Sequence, residues 1–247
     1  MKKILTSIFL INIALAVSAQ QIDFSLLKAM KPRNIGPGSM SGRVTAIAPV
    51  EANPDIIYIG AASGGVWKTE NGGTTWKSIF DANPTVNIGA IAVQQNNPNV
   101  IWVGTGEGNP RNSINLGQGI YKSLDGGRTW KAMGLEKTIT IHRILIDPQH
   151  PNTIYVGAMG NPFAEHSERG VYKSTDGGET WTKILYTNAS SGVGDMVMDP
   201  TNPNKIFVNM WQMRRTAYDF KSGGPGSGFY MTLDGGKNWT KLDKNNG

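Results

Sequence analysis

The stretch "SLDGGRTW", residues 123–130, decides the fold because near copies of it recur along the chain. It joins an Asp-Gly-Gly turn signal to a tryptophan, with a hydroxyl residue two positions before the aspartate. The other copies are "TENGGTTW" (69–76), "STDGGETW" (174–181) and "TLDGGKNW" (232–239). Their tryptophans are 51 to 58 residues apart. A repeat of this length indicates one structural unit that is used four times.

A second motif keeps the same period and lies before the first in every unit. Its copies are "NPDIIYIG" (53–60), "NPNVIWVG" (97–104), "HPNTIYVG" (150–157) and "NPNKIFVN" (202–209). Each unit also divides into four short runs rich in β-branched and aromatic residues, separated by Gly, Asn and Pro. The pattern predicts an all-β protein, a β-propeller of four-stranded antiparallel blades.

The predicted blades cover about residues 42–80, 87–134, 141–186 and 192–243. Propellers of this kind are usually larger rings of about six to eight blades. We therefore expect that further blades of the same full-length chain complete the ring. Residues 20–41 are expected to form a lead-in segment to the first blade.

The residue types of the eight-residue motif favour a structural role over a catalytic one. A short carboxylate can accept hydrogen bonds from turn amides, and the glycines tolerate positive φ. The tryptophan is expected to fold onto its own blade as a core anchor. Asn71 fits this reading because an asparagine can serve the turn but cannot replace a general acid. The predicted structural positions are Asn71, Trp76, Asp125, Trp130, Asp176, Trp181, Asp234 and Trp239.

The first residues, "MKKILTSIFLINIALAVSAQQ", have the order of a secretion signal. A basic start precedes an apolar stretch, and small residues follow near Ala19, where a signal peptidase would cut. The sequence therefore predicts a signal peptide over residues 1–19 and export to a bacterial periplasm or the exterior. The absence of cysteine suits an oxidising compartment.

Composition argues against several classes of function. The net charge is +6, but no block of five basic residues occurs, so nucleic acid is not an expected partner. Past the leader, no apolar run approaches the length of a membrane-spanning helix. His142, His150 and His166 lack the spacing of a metal site, and no serine elbow or cysteine nucleophile is present. We expect no metal and no cofactor.

The loops between the second and third strands vary in length, as expected of a binding surface on a repetitive scaffold. They lie on the face opposite the repeated turns. Arginines interleaved with aromatic residues suit carboxylates, sugars or peptides. The predicted ligand-binding residues are Glu107, Asn109, Arg111, Trp211, Arg214, Arg215 and Asp219. The same loops hold Asn112, Glu165, His166, Glu168, Arg169 and Tyr218. The alternative is that these charges only solvate long loops and pair with one another.

One further position stands out when the units are aligned on their prolines. Ala46, Ala90, Arg143 and Asp195 occupy it, on the innermost strands near the central channel. Because the third and fourth blades are neighbours, the sequence predicts an ion pair between Arg143 and Asp195. The pair can be structural or can contribute to ligand binding.

The repeated motif resembles the Asp-box, also called the bacterial neuraminidase repeat. Together with "RNIGPGSMSGRVTAI" (33–47), "VGTGEGNPRNS" (103–113) and "GGPGSG" (223–228), it makes nearly the whole mature chain resemble secreted bacterial sortilin N-terminal-like or "glycosyl hydrolase" propellers. The resemblance implies the propeller fold. It leaves function open, because Asp-boxes occur in sialidases, xyloglucan-cleaving enzymes and sortilin-type receptors alike.

Comparison with the enzymes of this group disfavours catalysis. Sialidases open with an Arg-Ile-Pro type motif, which "KPRNIGP" (31–37) does not match. The xyloglucan-cleaving enzymes place a catalytic aspartate two residues before a Gly-Gly pair, where this chain has Ala62. The favoured hypothesis is therefore a non-catalytic module that binds a protein, peptide or glycan. The alternative is a glycoside hydrolase, or a catalytically incomplete relative of one.

Overall fold

A computed structural model describes residues 42–109, 111 and 113–242, all within the unit Gly36–Gly247. The predicted signal peptide and the lead-in segment up to residue 41 lie outside the described residues. Four separate antiparallel sheets make up the fold, each hydrogen-bonded in chain order. The prediction of an all-β propeller with four four-stranded blades is confirmed.

The strand bounds follow the repeats. The first blade consists of β1 (Val44–Val50), β2 (Asn53–Ala61), β3 (Gly65–Thr69) and β4 (Lys77–Ser78). The second consists of β5 (Ile88–Val93), β6 (Ile101–Thr105), β7 (Ile120–Ser123) and β8 (Lys131–Ala132). The third consists of β9 (Ile141–Ile146), β10 (Ile154–Ala158), β11 (Gly170–Ser174) and β12 (Thr182–Leu185). The fourth consists of β13 (Ser191–Met198), β14 (Ile206–Arg215), β16 (Gly228–Thr232) and β17 (Thr240–Leu242).

The first strands of consecutive blades lie side by side, β1 against β5, β5 against β9 and β9 against β13. The hydrophobic core consequently lies between blades. One cluster joins Tyr58 and Val66 of the first blade to Ile101 and Val103 of the second, and two similar clusters follow between later blades. Among the described blades, the second and third therefore bury both faces against neighbouring blades.

A glycine in the second strand allows neighbouring blades to approach closely. A Cβ on Gly104 would lie 2.4 Å from the Cγ2 atom of Ile141 in the next blade. Gly60 and Gly157 occupy the same position and face the next blade's Ile88 and Val193. The glycine in "YIG", "WVG" and "YVG" thus leaves space for a β-branched side chain of the following blade to pack against the strand.

The two repeated turns contact each other on one face, which we call the turn face. In each blade, the amide of the first box glycine donates to the carbonyl of the residue after the Asn-Pro or His-Pro pair. Gly126 pairs with Asn99 in this way, at 2.9 Å. The loops between the second and third strands lie at the opposite ends of the strands, on what we call the loop face.

Within the Asp-box turn, the aspartate accepts hydrogen bonds and the tryptophan joins two blades. Asp125 Oδ1 accepts from the amides of Arg128 and Thr129, each at 2.9 Å, and Oδ2 accepts from the Thr129 hydroxyl. These hydrogen bonds lower the pKa of Asp125, and the bond from the Thr129 hydroxyl has the largest effect. Asn71 accepts from the Thr75 amide and donates to the Thr75 hydroxyl, so the amide closes the same turn.

The tryptophans extend farther than the sequence predicts. Trp130 lies over the glycines of its own turn, but its Nε1 donates to the carbonyl of Ile79 in the preceding blade, at 2.8 Å. Trp181 donates likewise to Met133, at 2.7 Å. Trp239 packs against the third blade, and Trp76 remains 36% exposed. The box tryptophan is therefore a connection between blades.

Candidate functional site

The loop face of the second blade contains a buried ion pair that the sequence does not reveal. Glu107 is only 1% exposed, and Arg43, just before β1, donates to both of its carboxylate oxygens at 3.0 and 2.6 Å. Glu107 therefore does not lie on the ligand-facing surface, in contrast to its predicted position. The pair fixes the loop of the second blade to the first blade.

A second contact between the same two blades lies close to this ion pair. Asn115 donates to the hydroxyl of Ser63 and to the carbonyl of Ser113, while its own carbonyl accepts from the Glu107 amide. Ser63 has a φ of 59°, the left-handed region. Ala62, beside it, is completely buried.

The loop of the third blade is organised around a buried arginine. Arg169 is completely buried and donates to the carbonyls of Met159, Asn161 and Ala164. Burial lowers its pKa to about 10. The sequence predicts Arg169 among the charges of the loop face. Its guanidinium instead points into the loop, where it satisfies these three carbonyls. Arg169 shapes the loop and is not exposed to a ligand.

The other charged residues of this loop have partners within the protein. Glu168 accepts from the Tyr172 hydroxyl at 2.7 Å and lies 3.5 Å from Lys183, and the Tyr172 bond is the main cause that lowers the pKa of Glu168. Glu165 accepts from Ser190 of the fourth blade. Burial lowers the pKa of His166. These residues follow the alternative in which loop charges pair with one another.

The loop of the fourth blade is an extended hairpin. Residues predicted as a loop instead continue β14 to Arg215, which pairs with the short strand β15 (Phe220–Ser222). The alternation of Met213, buried, and Arg214, exposed, fits a strand with one covered face. The Arg215 amide donates to the carbonyl of Pro162 in the third blade, at 2.8 Å. This contact holds the hairpin against the third blade close to its tip.

The hairpin carries an aromatic and cationic surface. Trp211 meets Phe220 edge to face, with ring centroids 5.8 Å apart, and its Nε1 donates to Ser222. The guanidinium of Arg215 lies 5.6 Å from the centre of the Phe220 ring. Tyr218, at the tip, is 93% exposed. We call Trp211, Arg215, Tyr218 and Phe220 the hairpin platform.

The remaining predicted ligand residues lie in two places. Arg214 and Asp219 are exposed on the hairpin, and the Asp219 amide and carbonyl hold the tip by bonding to Thr216. Asn109 and Arg111 are exposed on the second blade's loop, while Asn112 lies outside the described residues. The structure thus brings Trp211, Arg214, Arg215 and Asp219 onto one hairpin. The sequence analysis did not identify Phe220 or Arg43. A signal for the hairpin strand was available, because polar and apolar residues alternate around residues 211–215.

Near the central channel, Arg143 forms the predicted ion pair with Asp195 through two hydrogen bonds. Their side chains are 37% and 58% exposed. Beside them, His142 packs against the backbone of Gly108, and burial lowers its pKa to about 4. His142 is therefore neutral near pH 7.

Replacing Asp195 with asparagine should lower stability only slightly, by about 0–1 kcal/mol, because exposed ion pairs are screened by water. Urea denaturation of the wild type and the Asp195→Asn variant measures this change. A loss of ligand binding at unchanged melting temperature would instead assign the pair to a binding site.

Two further searches concern only the part of the chain that the structure describes. There, no group of three or more His, Cys, Asp or Glu side chains is placed to hold a metal ion. No helix in the same residues has the length and apolar character needed to cross a membrane.

Comparison with known proteins gives one family and several relatives. Residues 118–247, just over half of the chain, match the family model described as "Sortilin-Vps10: Sortilin, neurotensin receptor 3". The xyloglucanase Xgh74A of Acetivibrio thermocellus is 26% identical over 87% of this chain and 27% of its own length. A xyloglucanase of Paenibacillus sp. is 24% identical over 83% of this chain and 21% of its own length.

Among solved structures, the GH74 enzyme of Niastella koreensis superposes with a TM-score of 0.59 at 25% identity, covering 81% of this chain and 29% of that one. An ancestral GH74 enzyme gives a TM-score of 0.62 at 20% identity, covering 84% and 26%. The chain therefore spans only about a quarter of the length of the curated relatives that it matches.

Proposed function

The chain belongs to the Sortilin-Vps10 family, and from this premise we propose that it is an exported, non-catalytic β-propeller that binds a glycan on its loop face. The observation that supports the non-catalytic part of the proposal is the burial of the Glu107 carboxylate. Its carboxylate is buried, with both oxygens bonded to Arg43, so it cannot act as a free general acid or nucleophile. Position 62 supports the same conclusion, because it holds an alanine where the xyloglucan-cleaving enzymes have a catalytic aspartate.

The choice of a glycan rests on the hairpin platform and on the relatives. Aromatic rings present an apolar face, on which the CH groups of a sugar ring can pack, and the guanidinium of Arg215 beside the Phe220 ring supplies hydrogen-bond donors for hydroxyl groups. The curated relatives are xyloglucanases, so a xyloglucan chain is the first ligand to examine. A peptide or protein is the competing ligand.

Replacing Tyr218 or Trp211 with alanine should weaken xyloglucan binding about tenfold or more, because truncated aromatic anchors typically cost over 1 kcal/mol. Isothermal titration calorimetry of the mature chain with xyloglucan oligosaccharides measures the affinity. Trp76→Ala is the control, since it removes a partly exposed tryptophan on the turn face. Absence of binding, or equal losses in the control and hairpin variants, would contradict the glycan proposal.

Relatedness to xyloglucanases favours one second candidate function, glycoside hydrolysis. Release of reducing ends from xyloglucan tests it. Turnover by the wild type that is abolished by Glu107→Gln or Asp219→Asn would overturn the non-catalytic proposal. We expect no turnover from the wild type or from either variant.

A further inference from the structure

A groove on the turn face, between the first and second blades, is distinct from the loop face. Its volume is about 660 Å³, within the range of ligand-binding clefts. Its charged lining consists of three cations and three carboxylates, which are Lys68, Lys77, Arg128, Glu70, Asp81 and Asp125. Both blades contribute, so the groove depends on the way the repeats meet.

The repeat supplies an internal comparison for this groove. Across each gap, the residue after one blade's box tryptophan faces the residue after the next blade's Gly-Gly pair. Between the second and third blades these residues are Lys131 and Glu179, which form an ion pair at 3.0 Å. Between the first and second blades they are Lys77 and Arg128, two cations lining one groove. At these two positions, the cation–carboxylate bridge of one gap is thus replaced by two cations in the other, in a groove that also contains the carboxylates of Glu70, Asp81 and Asp125.

The carboxylates in the groove are engaged by other groups. Glu70 forms an ion pair with Lys68 at 2.7 Å, a contact that is the main cause of its lowered pKa. Asp125 accepts from the amides and hydroxyl of its own turn. Asp81 accepts from the hydroxyl of Ser78. The negative groups therefore have partners of their own.

The two cations at the compared positions have fewer direct contacts, although the charge of Lys77 is a minor cause of the lowered pKa of Glu70. The Arg128 guanidinium donates through Nε to the carbonyl of Asp125 at 3.0 Å, which orients the side chain over the turn. Within residues 42–242 as far as they are described, neither Arg128 nor Lys77 forms an ion pair. An arginine held in this way presents its terminal amino groups in the planar geometry that suits a carboxylate.

We propose that this groove binds a carboxylate-bearing saccharide, with Arg128 and Lys77 contacting the carboxylate. Asn99 and Ser78 provide hydrogen-bonding groups for hydroxyls, and Ile79 and Ala82 provide an apolar wall for the sugar ring. The site is independent of the loop face and of the neutral glycan proposed there.

The test uses the mature chain and trigalacturonate, with affinity measured by isothermal titration calorimetry at low ionic strength. Arg128→Glu places a carboxylate opposite Lys77, which recreates the Lys131–Glu179 arrangement and closes the groove. Binding should weaken at least tenfold. Folding should be retained, because the bond from Arg128 to Asp125 Oδ1 uses the backbone amide.

Lys237→Glu is the matched control, since it makes the same change of charge at the same turn position in the fourth blade, and it should leave trigalacturonate binding unchanged. Equal losses in both variants, or no binding by the wild type, would overturn the site. Binding of a hexaglutamate peptide as tight as that of trigalacturonate would overturn the saccharide assignment. Neutral xyloglucan binding should be unaffected by Arg128→Glu, which separates this test from that of the loop face.

Discussion

Replacing Trp130 with alanine is expected to lower the free energy of unfolding by about 3–5 kcal/mol, the usual cost of truncating a tryptophan that packs against a hydrophobic core, because its partly buried ring contacts the cluster between the first two blades. The substitution removes an edge-to-face contact with Phe80, whose ring centroid is 5.1 Å away, and the Nε1 bond to the carbonyl of Ile79. Both partners belong to the preceding blade. The loss therefore falls on the contact between blades, and chemical denaturation monitored by circular dichroism measures it.

Trp76→Ala is the control for this prediction because it removes the equivalent residue of the first blade. Trp76 is 36% exposed, so its truncation should cost clearly less, about 1 kcal/mol. If both variants lost the same stability, the tryptophan would act within its own blade and the connection between blades would be unimportant. A loss confined to Trp130→Ala would assign the effect to the neighbouring blade.

The propeller fold was predictable because it rests on local signals that repeat. Asp-Gly-Gly turns, Asn-Pro turns and short β-branched runs each specify a hairpin, and one period orders them into blades. The reach of Trp130 into the preceding blade was not predictable in the same way. A turn motif reports its own backbone geometry, whereas the partner of a side chain depends on how two blades pack.

The ligand face was harder to predict because loop residues carry no periodic signal. Arg169 and Glu107 look like surface charges in the sequence, yet both are buried. Arg169 is held inside the protein by hydrogen bonds to three backbone carbonyls. Glu107 is held by hydrogen bonds from an arginine 64 residues away. Neither partner is marked by spacing. Trp211, Arg214 and Arg215 were selected by composition, but the pairing of residues 213–215 with the strand Phe220–Ser222 became visible only in three dimensions.

Replacing Arg43 with methionine is expected to destabilise the protein by about 3–5 kcal/mol, because it leaves the buried Glu107 carboxylate without its cation. The side chain of Glu107 is completely buried, whereas that of Arg43 is 27% exposed. The effect should therefore be asymmetric. Glu107→Leu leaves a cation that can still reach water, and it should cost less than Arg43→Met. Urea denaturation of the two single variants measures the difference.

The double variant Arg43→Met with Glu107→Leu distinguishes an unpaired charge from lost packing. Replacing a buried ion pair by apolar residues of similar size is often neutral or stabilising, so the double variant should recover most of the stability lost in Arg43→Met. If the losses simply added, the side chains would contribute through packing alone. Recovery of stability together with unchanged xyloglucan binding would show that the pair holds the two blades together and does not contact the ligand.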